Sequence, residues 1–349
     1  MIAISDGQPA RAPNALDRRL TRLIKDPRDL PFVYLSWSAL LVLIPFSLAV
    51  YLVNPLPWWL AVGYLVTLFV VFFDRYTLML HCTSHRRLYA RGLGGLNHIV
   101  PLVLAPFMGQ SPYTYFAHHI GMHHPENNLP QDLSSTMRYR RDSVRGFLHY
   151  LGMFMGSGIV QLFSYHQRRH HGRMARMAVL GEFGWFAGVI ALSFVDFTAT
   201  LVVFIIPFVA CRFLMMAGNW AQHAFIDPSD PANPYRNSIT SINTRYNRRC
   251  FNDGYHIGHH VKANRHWSEM PADFQKNIEK YRSEGAVVFQ GVDYFQIWGM
   301  LMAKHYKGLA RCFVDLSETP RSEAEVIAFL RARTLPISAS VPAESRLAA

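Results

Sequence analysis

The sequence predicts an all-α integral membrane protein: four transmembrane helices in two hairpins, with a helical cytoplasmic cap. Three features predict this class. Long apolar runs come in pairs joined by short turns, Arg and Lys concentrate in the segments outside those pairs, and the histidine groups fall in the same segments.

The first run, Phe32–Val53 (FVYLSWSALLVLIPFSLAVYLV), carries no charge over 22 residues. That is long enough for a helix to cross about 30 Å of hydrocarbon. Asn54-Pro55-Leu56-Pro57 turns the chain, and a second run, Trp58–Phe73, ends at Asp74. The second hairpin runs from Met177 to Val195, broken only by Glu182, turns at Asp196-Phe197-Thr198, and returns from Ala199 to Gly218 with Arg212 near its far end. Two shorter apolar stretches, Leu96–Met108 and Phe147–Phe163, fit half-inserted, interfacial or buried helices alike. A soluble helical protein also buries apolar helices, but it needs no uncharged run of this length.

Both hairpin turns lack Lys and Arg, whereas the N-terminal arm carries Arg11, Arg18, Arg19, Arg22, Lys25 and Arg28, and the middle segment is arginine-rich from Arg86 to Arg176. The C-terminal region is also basic; with four spans these three segments share one side, and the positive-inside tendency makes it the cytoplasm. The net charge of +12 is therefore read as topology and contact with anionic headgroups. No basic stripe interleaved with aromatics indicates nucleic acid. Cys82, Cys211, Cys250 and Cys312 are scattered, without a CxxC pair, so neither a disulfide framework nor a zinc ribbon is expected. The polar, Arg-rich first 31 residues hold no apolar core of a cleavable signal.

The expected organisation is a basic cytoplasmic arm (1–31), a membrane and metal-site domain (32–270), a helical cytoplasmic segment (271–337) and a small, polar, disordered tail (338–349). Within the third part, Tyr294–Val314 reads as an amphipathic helix capping the cytoplasmic domain.

The histidines come in groups. HCTSH places His81 and His85 just beyond the second run, at i and i+4 on one helix face if that helix continues. HHIGMHHPENN contains His119, His123 and His124 as HxxxHH, with His118 as an alternative first member, and Pro125 is where the ligand-bearing helix should break. FNDGYHIGHH ends in His256, His259 and His260 as HxxHH, and NWAQH offers His223, with Asn219 a weak ligand directly or through water. Adjacent helical histidines point about 100° apart, so an HH pair serves two metals. Eight or nine imidazoles exceed any mononuclear site and no HExxH is present; beside a membrane, this favours dinuclear iron. SYHQRRHHGR also fits HxxxHH through His166, His170 and His171, but Arg168, Arg169 and Arg173 repel a cation there. It is read as a basic membrane-surface patch. His98, His149, His266 and His305 stand alone and are read as structural.

HCTSH, HHIGMHH, HIGHH and NWAQH, in this order around two apolar hairpins, resemble the membrane fatty acid desaturase and hydroxylase superfamily over roughly residues 30–270. The resemblance implies two iron ions held almost entirely by histidine, O2 as co-substrate, and attack on an unactivated C–H bond of a lipid or acyl chain. It implies a fatty acyl desaturase; a hydroxylase or monooxygenase acting on a lipid, alkane or carotenoid-like substrate is the alternative, because the three-residue spacing inside HCTSH is shared with those relatives. No HPGG haem segment is present, so electrons are expected from an external ferredoxin, rubredoxin or cytochrome b5 type donor. Carboxylates or amides behind the ligands are sought among Asp253, Asn252, Asp132, Glu126 and Asp227, with Asp253 first. A metal transporter needs ionisable groups inside its spans, and a b-type cytochrome needs histidines there; in this chain the histidines lie outside.

Overall fold

The computed structural model describes residues 2–7 and 12–337; the tail expected to be disordered, 338–349, lies outside them. The chain is mostly helical and forms two compact units. Residues 12–121 and 159–214 make the first; residues 2–7, 122–158 and 215–337 make the second.

Apolar length decides the long helices. These are α1 (Pro27–Leu52) and α2 (Trp58–His85), then, after the short α3 (Thr114–His118), α4 (Val144–Arg168), α5 (Gly172–Val195) and α6 (Phe197–Gln222). All but α3 are long and apolar enough to cross a membrane, five among the described residues. The added member is α4, which contains the ambiguous stretch Phe147–Phe163 and is the least apolar of the five. Their outer faces are apolar: Leu41, Leu52, Trp58 and Phe194 are exposed, Phe194 by 89%. Such a surface is stable in hydrocarbon and costly in water.

The two ionisable residues expected inside the second hairpin meet. Arg212 Nη2 donates to both Glu182 oxygens at 2.6 and 2.7 Å, and Ser111 donates its hydroxyl to the same carboxylate. The Arg212 guanidinium lies 4.1 Å from the Phe208 ring centroid. Charges at membrane depth are tolerated when paired in this way.

The second unit departs from the all-α expectation by one small element. β1 (Ile239–Ile242) pairs in parallel with β2 (Val287–Gln290), Ile239 opposite Val287. Four-residue strands carry too little periodicity to be read in advance, and their pairing is long-range. Between them run α7 (Arg245–Arg249) and α8 (His256–Val261). One core cluster gathers Phe225, Ile239, Val287, Phe289, Tyr294 and Leu309, and another gathers Ile242, Tyr255, Ile257, Phe274, Tyr281 and Val288. The single helix expected at Tyr294–Val314 is two, α9 (Tyr294–Met302) and α10 (Tyr306–Cys312), because Lys304 takes a left-handed conformation (φ +53°) between them. A last helix, α11 (Glu323–Ala332), follows.

Candidate metal centre

Four imidazoles from three sequence regions converge in the second unit. The ligand atoms of His123, His223, His256 and His260 all lie within 4.8 Å of one another. His256 Nε2 is 3.2 Å from His223 Nε2 and 3.0 Å from His260 Nε2. Imidazole nitrogens about 2.1 Å from one metal ion, in cis positions, stand about 3.0 Å apart. The donor set therefore fits a metal ion. In the same unit His124 Nε2 lies 2.9 Å from His259 Nε2.

The first unit holds its own group. His81 and His85, at i and i+4 on α2, meet His119, with His85 Nε2 3.1 Å from His119 Nε2 and the His81 and His119 ring centroids 4.6 Å apart. His119, rather than His118, is thus the member of HHIGMHH that stands with the first pair. Tyr115 stacks on the His119 ring at 5.0 Å.

Hydrogen bonds aim the rings. His123 Nδ1–H donates to Asp132 Oδ2 at 2.7 Å, leaving Nε2 as the ligand atom. Asp132 is buried and also accepts from the Asn128 and Ser134 backbone N–H groups and the Ser134 hydroxyl. His223 Nδ1–H donates to the Asn237 carbonyl at 3.0 Å, and the Asn237 side chain accepts from Asn128 Nδ2 at 2.8 Å. One chain of hydrogen bonds, His123–Asp132–Asn128–Asn237–His223, thus sets two candidate ligands from two motifs. Such partners fix tautomer and ring angle. We expect Asp132→Asn to weaken metal binding by about 10–100-fold with the fold intact; chelator competition alongside circular dichroism checks this, and an unchanged affinity refutes it.

Burial lowers the basicity of these rings. Desolvation, then repulsion from His123, pushes the His223 imidazole down to about 4, and desolvation with four neighbouring imidazoles holds His260 well below the ordinary histidine range. Both are neutral at pH 7, the form that binds metal.

Backbone packing explains α8. A Cβ on Gly254 would stand 2.2 Å from Asn247 Oδ1 and 2.4 Å from the Ser241 carbonyl, so only glycine lets the chain pass β1 two residues before His256. Asp6, buried, accepts from Asn243 and Thr244 N–H groups, Asn247 Nδ2 and the Tyr255 hydroxyl. The start of the chain therefore clamps the residue preceding His256. Nothing in the composition of the arm signals Asp6, and Asn128 and Asn237 carry no motif; the Gly before YHIGHH is the one local sign.

Two expectations change. Asp253, sought first behind His256, turns its carboxylate to the Tyr246 hydroxyl (2.8 Å) and Gln222 Nε2 (3.4 Å), while Asp132 takes the carboxylate role behind His123. The helix bearing His123 and His124 ends one residue past Pro125, at Glu126, where Asn127 and Asn128 both take positive φ; these left-handed residues do the stopping. Asn219, for its part, gives its Nδ2 to the Ser134 carbonyl and the Tyr150 hydroxyl.

A family model described as fatty acid desaturase matches residues 57–291. No curated protein and no solved structure matches the chain.

Proposed function

We propose, from the premise that this chain belongs to the fatty acid desaturase family, that it is an O2-dependent desaturase of a lipid acyl chain, using two histidine-held iron ions. The observation that carries the reading is the convergence of His123, His223, His256 and His260 from motifs far apart in sequence, with His223 and His260 held in the neutral form. In this reading those four hold one iron. Within the first unit, His81, His85 and His119 offer donors for the second iron.

Bound iron would supply the two-electron reduction of O2 needed to remove hydrogen from an unactivated C–H bond. Two vicinal hydrogens leave the acyl chain as its C–C bond becomes C=C; with one O2, two electrons and two protons, two waters form. The electrons come from an external ferredoxin, rubredoxin or cytochrome b5 type donor. Asp132 and the Asn237 carbonyl hold the Nδ1 protons of His123 and His223, which fixes the tautomer and keeps each ring from turning. The apolar outer faces of α1, α2, α5 and α6 place the chain where lipid tails are available. The arginine distribution favours a multi-pass arrangement with both termini and the site on the cytoplasmic side.

Mass spectrometry of total lipids from a host expressing this chain with a redox partner, against the same host without it, tests the proposal. A new lipid lacking two hydrogens is expected. One that gains an oxygen instead transfers the protein to the hydroxylases, and unchanged lipids from an iron-loaded chain reject the acyl substrate or the donor.

A further inference from the structure

The histidine run set aside as a basic surface patch divides in the structure. His170 and His171 are exposed, but His166 is fully buried. Its Nε2 lies 3.0 Å from the Ala117 carbonyl, and its Nδ1 has no hydrogen-bond partner. A Cβ on Gly121 would stand 2.7 Å from its Cε1 and 3.2 Å from its Nε2. The ring therefore lies directly on the helix backbone between Ala117 and Gly121, in a notch that exists because residue 121 has no side chain.

That stretch of backbone is unusual. α3 passes at His119 into a π-helical turn, His119–His123, in which hydrogen bonds run i to i+5 and the turn is wider than in an α-helix. A single π turn is held in place by what is inserted against it. Here Nε2–H of His166 donates to the carbonyl two residues before His119. The other end of α3 is pinned as well: a Cβ on Gly181 would clash with the Pro112 carbonyl, one on Gly109 (φ +74°) would clash with the Pro207 carbonyl, and Ser111 donates to Glu182. His119 thus sits between a braced loop and the His166 ring.

We propose that His166 is a positioning residue for His119: its hydrogen bond to Ala117 and its seat on Gly121 fix the π winding that turns the His119 imidazole toward His81 and His85. A ligand role is not needed, because its Nε2 is committed to a carbonyl. The inference rests on the metal reading above, and its test separates the two. Full-length wild type, His166→Leu, His166→Gln and Gly121→Ala are titrated with Co2+ alone in detergent, reading metal per chain and the visible absorption of the bound ion, which reports coordination geometry without turnover.

Wild type is expected to load. His166→Leu and Gly121→Ala should bind one equivalent at least tenfold more weakly with an altered band, and His166→Gln, whose Nε2 can still donate to Ala117, should restore the wild-type spectrum. Leu and Ala variants that load like wild type with the same spectrum overturn the inference alone. If His166→Leu does not fold, Gly121→Ala against His166→Gln decides by the same two readings. A wild-type chain that takes up no metal overturns the metal reading, and this inference with it.

Discussion

His256→Ala is expected to abolish product formation and to release about half of the bound metal. His256 is the member through which the four-imidazole group is connected, 3.2 Å from His223 and 3.0 Å from His260. Its loss leaves an open coordination position and weakens the hold of the other three. A missing ligand costs several kcal/mol of stabilisation where charge develops; about 4 kcal/mol corresponds to roughly 1000-fold in rate. The change also leaves a cavity beside Tyr294, whose ring centroid is 6.2 Å from that of His256, so folding is checked in parallel by thermal melting. The control is His170→Ala, an exposed histidine of the set-aside run, expected to keep wild-type iron and activity. Metal analysis and lipid mass spectrometry on both variants check the prediction. Wild-type iron in His256→Ala would remove this residue from the ligand set.

Arg141→Leu should be the most destabilising substitution outside the histidine groups. Arg141 is fully buried, and its guanidinium donates to the carbonyls of Thr136, Met137, Tyr139, Ala224, Arg333 and Leu335. Three separate stretches are tied by one side chain, including the residue after His223 and the end of α11. Burial pushes its basicity down to about 9, and an arginine still stays charged there. Leucine would leave these carbonyls facing an apolar group, at about 3–5 kcal/mol, much of a typical stability of about 5–15 kcal/mol. Lysine should recover little, since one ammonium cannot span carbonyls that a planar fork reaches. Thermal unfolding of the purified chain reads the effect; a melting temperature within 2–4 °C of wild type, a shift of roughly 1 kcal/mol or less, would show that the three stretches hold together without it.

Glu182 and Arg212 illustrate how far the linear chain could be read. Each interrupts an otherwise uncharged run, so each was visible as a cost, yet that the two meet, with Ser111 as third partner, depends on how α5 packs on α6 and on the loop before α3. The histidines behave alike. HCTSH, HHIGMHH and HIGHH were legible as candidate ligand motifs from their crowding, and their histidines do gather in the structure, but His166 matched the same spacing and is committed instead to a helix carbonyl. Asp132 and Asp253 were equal on paper; backbone turns at Asn127 and Asn128 bring the first beneath His123, and Tyr246 claims the second.

By itself the sequence determined the solvent, the helical class, the residues able to ligate and the family of chemistry, since apolar run length and residue type act within a few turns of chain. Only the tertiary structure decided which imidazoles share a group, what stands behind His123 and His223, and that His166 is hydrogen-bonded to a helix carbonyl. Partners such as His223 and His256, 33 residues apart, or His166 and Ala117, 49 apart, are joined by packing of whole elements, and no local pattern encodes that packing.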